Sequence, residues 1–189
     1  MLRRRRNQPQ ASPAAAPDVS AAAHPVADAT PGNRYRMVEK LATIGDDFFI
    51  ENARGQRAFK VDGKAVRVRD TTIFRDMHGN ELCKIQERVA RVKDSMEIEG
   101  PGGNRIALVQ KAMITPLRER FTVKLNGGPD LEVQGNLLSH EYRIGNVATI
   151  SQKWFRVRDS YGVEVAPGQN DVLILAVTVA IDQLTSDVH

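Results

Sequence analysis

From Arg34 onward, apolar and polar residues alternate with a period of two. Val66 and Val68 stand against Arg67 and Arg69, and Phe121, Val123 and Leu125 against Thr122 and Lys124. Ile98 sits between Glu97 and Glu99, and Val163 and Val165 flank Glu164. Successive side chains of a strand point to opposite faces, so this alternation predicts strands with one buried and one wet face, as antiparallel sheets permit. No segment before residue 166 sustains a helical period. The domain is therefore read as mostly β.

The turns add a regularity. In ENARGQRAFKV, RDMHGNELCKI and EGPGGNRIALV, residues Gly55, Gly79 and Gly103 are spaced by 24, and Gly127 in KLNGGPDLEV continues the step. Asp46, Asp70 and Asp94 keep it too, each nine residues before its glycine. Glycine supplies the positive φ that tight hairpin turns demand, so each unit reads as strand, turn, strand, and the units form a meander. LSHEYRI, VATISQ, KWFRVRD and YGVEVA, together with RYRMVEKLATI at the start, bring the count to about a dozen strands. So many strands with one wet face must close on themselves, because open edges invite aggregation.

One stretch breaks the alternation. Val172 to Ile181 holds ten apolar or near-apolar residues in succession. As a helix it would rise about 15 Å, against a bilayer core of about 30 Å, which excludes a simple transmembrane span. Six of the ten are β-branched or Thr and favour a strand, but a strand apolar on both faces needs covering layers that this chain does not offer. The preceding APGQND breaks the last strand at Pro167 and Gly168, offers Asn170 as a cap, and places Asp171 at a helix N-terminus. A helix apolar all round is a buried one. The expected fold is a closed antiparallel barrel of about 12 strands around a buried hydrophobic C-terminal α-helix.

Composition separates residues 1–33 from this domain at 34–189. The first segment opens with MLRRRR and is crowded with Ala and Pro; after Leu2 its only large aliphatics are Val19 and Val26. It cannot bury enough apolar surface to offset its ordering entropy and is read as a disordered tail. Asn7, Gln8 and Pro9 follow the arginines where a secretory signal needs an apolar run, so export is not expected. The single Cys83 excludes an intrachain disulfide and is compatible with a reducing cytoplasm. Of the net charge of +4, the tail carries +2 from Arg3 to Arg6 against Asp18 and Asp28, leaving the domain at +2. The tail arginines could touch nucleic acid or an anionic membrane, or serve only solubility. The domain itself shows no basic cluster with interleaved aromatics, so no specific nucleic-acid contact is expected.

The segments KLATIGDDFFIENARG, AFKVDGKA, FRDMHGNEL, TPLRERFTV, LEVQGNLLSHEY and KWFRVRDSYGVEVAPGQNDVLILAVTVAID, spanning about Tyr35 to Asp182, resemble the LURP-one-related proteins of the tubby C-terminal-like superfamily, in particular their bacterial branch. The resemblance implies a 12-stranded barrel around a central hydrophobic helix. It carries less function than fold: the family's own molecular role is poorly defined, while tubby-type domains bind phosphoinositides and the more distant phospholipid scramblases share the barrel and helix. In scramblase-like proteins an acid-rich segment before the final helix is taken to bind calcium. Here the matching region keeps only Asp159, Glu164 and Asp171, interrupted by Arg158 and Gly168, against six to eight oxygen ligands for calcium. No metal or cofactor is expected, and no lipid-binding residue carries over.

Catalytic constellations are weak. Read as strand, Ser139 and Glu141 share a face opposite His140, so they cannot form a triad. His78 lies in a turn, and His24 and His189 lie in the tail and at the C-terminal end. Cys83 alternates with Leu82 and Lys84 as a structural thiol, the glycines of EGPGGN precede a strand rather than a helix, and Asp46 and Asp47 open a strand. The chain is read as a non-enzyme. On the outer face, KWFRVRD sets Trp154, Arg156 and Arg158 together, and Arg67 and Arg69 form a second pair. An aromatic with guanidinium groups suits an anionic headgroup or an acidic protein partner; the alternative is an ordinary solvated face with Trp154 covered. The reading is a monomeric cytoplasmic binding module, peripheral at the inner face of the membrane if it binds anionic phospholipid, or else bound to a protein. The alternatives are a small-molecule binder or enzyme with a pocket at the barrel mouth, or scramblase-like lipid transfer.

Overall fold

The computed structural model describes residues 32–38, 48–66, 69–87, 94–115, 118–154 and 160–186. Twelve strands follow in order: β1 Asn33–Val38, β2 Phe48–Asn52, β3 Arg57–Val66, β4 Arg69–Asp76, β5 Glu81–Glu87, β6 Ser95–Glu99, β7 Arg105–Thr115, β8 Arg118–Leu125, β9 Leu131–Asn136, β10 Glu141–Ile144, β11 Ala148–Ser151 and β12 Ser160–Val165. A 3-10 turn, Gln152–Trp154, lies between β11 and β12, and the helix α1, Asp171–Ser186, ends the fold. Each strand pairs antiparallel with the next, and β1 pairs with both β2 and β12, so the sheet closes into a barrel without an edge. The expected tail falls outside the described residues apart from Gly32 and Asn33. Asn33 already belongs to β1, opposite Val165, so the barrel starts one residue inside the segment assigned to the tail.

The 24-residue step has a structural basis. Gly55, Gly79 and Gly103 each donate their N–H to the carbonyl three residues back, at Asn52, Asp76 and Gly100. Each has φ between 73° and 88°, as does Gly127 at 86°. The paired strands shift register at Ile50/Glu51, Phe74/Arg75 and Ile98/Glu99, again 24 residues apart. Three successive hairpins thus share one turn and one bulge, and the alternation of direction places all three turns on the same rim. The helix enters at this rim, because Asp171 meets Asn33 and Tyr35 at the start of β1.

Side chains alternate as read. Ile50, Val61, Phe74, Cys83, Ile98, Val109, Val123, Ile144 and Val163 point into the lumen and are buried. From Ile174 to Asp182 nine consecutive helical residues are buried, so every face of the helix packs on the inward side chains. Asn170 caps it, its Oδ1 accepting from Leu173 N at 3.1 Å, and Thr178 satisfies its hydroxyl by donating to the Ile174 carbonyl at 3.0 Å. No helix among the described residues is long and apolar enough to cross a membrane.

Two strand assignments need correction. In LSHEYRI only Glu141–Ile144 is strand; Leu137–His140 is a turn, closed by His140 N donating to Leu137 O at 3.0 Å and by Ser139 N donating to Asn136 Oδ1 at 3.2 Å. In KWFRVRD the first two residues belong to the 3-10 turn, and residues 155–159 lie outside the described residues.

Candidate functional site

The outer wall around β1 collects cationic and aromatic side chains. Arg34 and Arg36 alternate with the buried Tyr35 and Met37 and therefore face outward. Arg34 Nε donates to Glu164 Oε2 at 2.7 Å across the β1–β12 pair, and its guanidinium lies 5.2 Å from the centre of the Trp154 ring. The 3-10 turn packs on β12, whose outward position Gly162 is buried. On the other side of β1, Arg36 ion-pairs with Glu51. Further round, Arg57 on β3 lies 3.9 Å from the centre of the Phe49 ring. Register fixes a continuous row in the opposite direction: Arg34 opposite Glu164, Glu164 opposite Thr149, Thr149 opposite Arg143. Arg34, Arg57 and Arg143 are exposed.

Two concavities open at the upper rim of this wall. The larger, about 570 Å³, is bounded by Gly32 to Tyr35 and by Asn52, Ala53 and Arg54; the smaller, about 190 Å³, lies on the far side of the Arg34–Glu164 pair against Arg143, Asn146 and Thr149. Tyr35 donates to Asp171 Oδ2 at 2.7 Å, and burial together with that carboxylate pushes its phenol up.

Inside the other end of the barrel lies a buried polar group of residues. Tyr161 OH donates to the Asp182 carboxylate, His140 Nε2 stands 3.5 Å from Asp182 Oδ1, and the His140 ring stacks on Tyr161 at 4.2 Å between centroids. Tyr142 is buried nearby, and burial followed by the Asp182 charge raises its phenol well above the ordinary value. His140 thus faces the lumen, opposite Glu141 as the alternation expected, although it belongs to a turn and not to a strand. The cluster touches the helix end rather than solvent.

Of the five residues offered as a surface binding site, Arg67, Arg69, Trp154, Arg156 and Arg158, only Trp154 has a described side chain, and its guanidinium partner is Arg34 of β1. Arg67, Arg156 and Arg158 lie outside the described residues, and Arg69 is described only as the first residue of β4. The period of two in RYRM carried the signal for Arg34 and Arg36, but not that β1 would close against β12. Glu164 and Asp171 are engaged by Arg34 and by Asn33 and Tyr35. Asp159 lies outside the described residues, and among those described no group of three or more His, Cys, Asp or Glu could hold a metal. Cys83 is buried, and burial pushes its thiol up to about 12, which suits packing rather than attack.

The family model for LURP-one-related proteins matches residues 34–182, most of the chain and the whole of the barrel from the second residue of β1 to Asp182. The chain belongs to the LURP-one-related family. A crystal structure of a protein from Arabidopsis thaliana is similar to it in fold, with a TM-score of 0.60 at 18% identity, covering 83% of this chain and 94% of that one. At that identity the likeness bears on the LURP-one-related fold alone. No curated protein matches the chain in sequence.

Proposed function

We propose that this LURP-one-related domain is a non-enzymatic binding module that attaches peripherally to anionic lipid headgroups through the outer wall around β1. The observation that carries the reading is the placement of exposed Arg34, Arg57 and Arg143, on β1, β3 and β10, near the rim where α1 enters, with Trp154 under Arg34. Guanidinium groups bind phosphate oxygens in pairs, and an aromatic beside them suits the headgroup layer. A lumen filled by α1 directs binding to the outside. The resemblance to lipid-binding tubby-type domains points the same way.

Co-sedimentation of the full chain with vesicles tests this. Binding is expected to vesicles containing an anionic phospholipid and not to neutral ones, at about 1 kcal/mol per basic residue near the surface, and to weaken sharply with salt. Arg57→Gln and Arg143→Gln together should reduce it without changing the melting temperature. Attachment that resists salt and needs detergent, or no binding to any vesicle, overturns the reading; the latter result would favour a protein partner.

A further inference from the structure

The larger cleft at the upper rim has walls whose own polar groups are already engaged. Asn52 Oδ1 accepts from Arg54 N at 2.9 Å and from Gln56 N at 3.1 Å, locking the β2–β3 turn. Across the cleft, Asn33 and Tyr35 both donate to Asp171 Oδ2 at 2.7 Å. Gly32 fits only because it has no side chain: a Cβ there would lie 2.1 Å from the Val165 carbonyl oxygen. The surrounding carboxylates are committed as well, Glu164 to Arg34, Glu51 to Arg36, and Asp171 to its two donors. The guanidinium of Arg54 is exposed and has no hydrogen-bond or ion-pair partner among the described residues. Arg34 uses its Nε on Glu164, which leaves its terminal N–H groups for another acceptor. The result is a preformed concavity of about 570 Å³, within the range of small-ligand sites, in which two guanidinium groups are the open donors.

We propose that this cleft binds a small phosphate-bearing anion, held by Arg54 and Arg34. The site rests on the lipid reading only in part, because the same chemistry can come from a headgroup phosphate or from a free phosphate monoester. One uncompensated guanidinium and one shared with Glu164 favour a monoanion or a single phosphate group over a densely charged polyanion. Asp171 and Glu164 set a limit on charge: a ligand with several phosphates would bring its extra charge towards them.

The test is an NMR titration of the full chain with inorganic phosphate, against chloride at matched ionic strength, in wild type and Arg54→Gln, with vesicle co-sedimentation run in parallel. Arg54 sits exposed in a turn, so the variant should melt like wild type. Saturable shifts centred on Asn52 to Gly55 and on Arg34, weakened at least tenfold in Arg54→Gln, are expected. Arg54→Lys should recover only part of the binding, since a point charge lacks the fork. The absence of saturable shifts at the cleft, or equal binding by Arg54→Gln, overturns the site even if vesicles still bind. Shifts without vesicle binding support the site with a soluble ligand and sink the lipid reading; shifts together with release of vesicles by phosphate identify the headgroup as its source.

Discussion

The hydroxyl of Tyr161 on β12 donates to the carboxylate of Asp182 near the C-terminal end of α1, joining the barrel wall to the helix inside it. Both are buried, and the His140 ring stacks on the tyrosine while its Nε2 faces the same carboxylate. A buried carboxylate that loses a donor keeps its desolvation cost, which is the expensive side of a hydrogen bond. Tyr161→Phe should therefore destabilise by about 1–3 kcal/mol in urea denaturation. Asp182→Asn, which removes the charge and keeps an acceptor, should cost less than Asp182→Ala. Equal stability of Tyr161→Phe and wild type would show that the hydroxyl does not support the carboxylate.

The helix was legible because its ten apolar residues have no wet face and follow a cap, and Asn170 does cap it. The hairpins were legible because a glycine with positive φ is needed at the same point of each, and the common bulge keeps the interval at 24. The turn at Leu137–His140 was not: its closing bonds are local, but it needs His140 at φ 47°, a conformation that the alternating pattern of LSHEYRI does not announce. The surface was legible only in kind. Trp154 was expected beside Arg156 and Arg158, which lie outside the described residues; the guanidinium found against it is that of Arg34, 120 residues earlier. Only closure of β1 on β12 brings the two together, and local periodicity holds no trace of which strands close a barrel.

Leu175 is fully buried within α1, deep in the barrel lumen. Leu175→Asp should abolish soluble expression, because an unpaired charge cannot be solvated there. Leu175→Ala should fold and lose roughly 2–5 kcal/mol, the usual cost of a core cavity. A soluble Leu175→Asp protein with a normal melt would contradict the threaded helix.

Asp62 sits against the outer wall with Lys60 Nζ at 2.6 Å and Arg75 Nε at 2.8 Å. Burial alone would raise its carboxyl, but the hydrogen bonds and charges of Lys60 and Arg75 outweigh it and hold the group below the ordinary aspartate value. The folded protein therefore holds this proton less tightly than the unfolded chain. The stabilisation is complete above the unfolded value of about 3.9 and is lost as pH falls through the lower folded one. Denaturation curves between about pH 5 and pH 2 should show wild type losing more stability than Asp62→Asn. Parallel losses in the two proteins would remove Asp62 from the acid response.

Gly135 and Gly79 both have positive φ, at 135° and 88°, but only one is crowded. A Cβ on Gly135 would stand 2.4 Å from the Glu141 carbonyl oxygen and 2.6 Å from Tyr142 Cα, whereas one on Gly79 meets nothing within 4 Å. Gly79→Ala should thus cost only the backbone strain, about 1 kcal/mol. Gly135→Ala must in addition push β9 away from β10 at the point where Gly135 opposes Tyr142. That hairpin delivers Tyr142 and His140 to the Asp182 end of the helix, so the displacement reaches the core. The expected loss is roughly 3 kcal/mol or more, with faster amide exchange in β9, β10 and the last turn of α1 than in Gly79→Ala. If the two variants prove equally stable, the close approach of β9 to β10 is not what requires glycine at position 135.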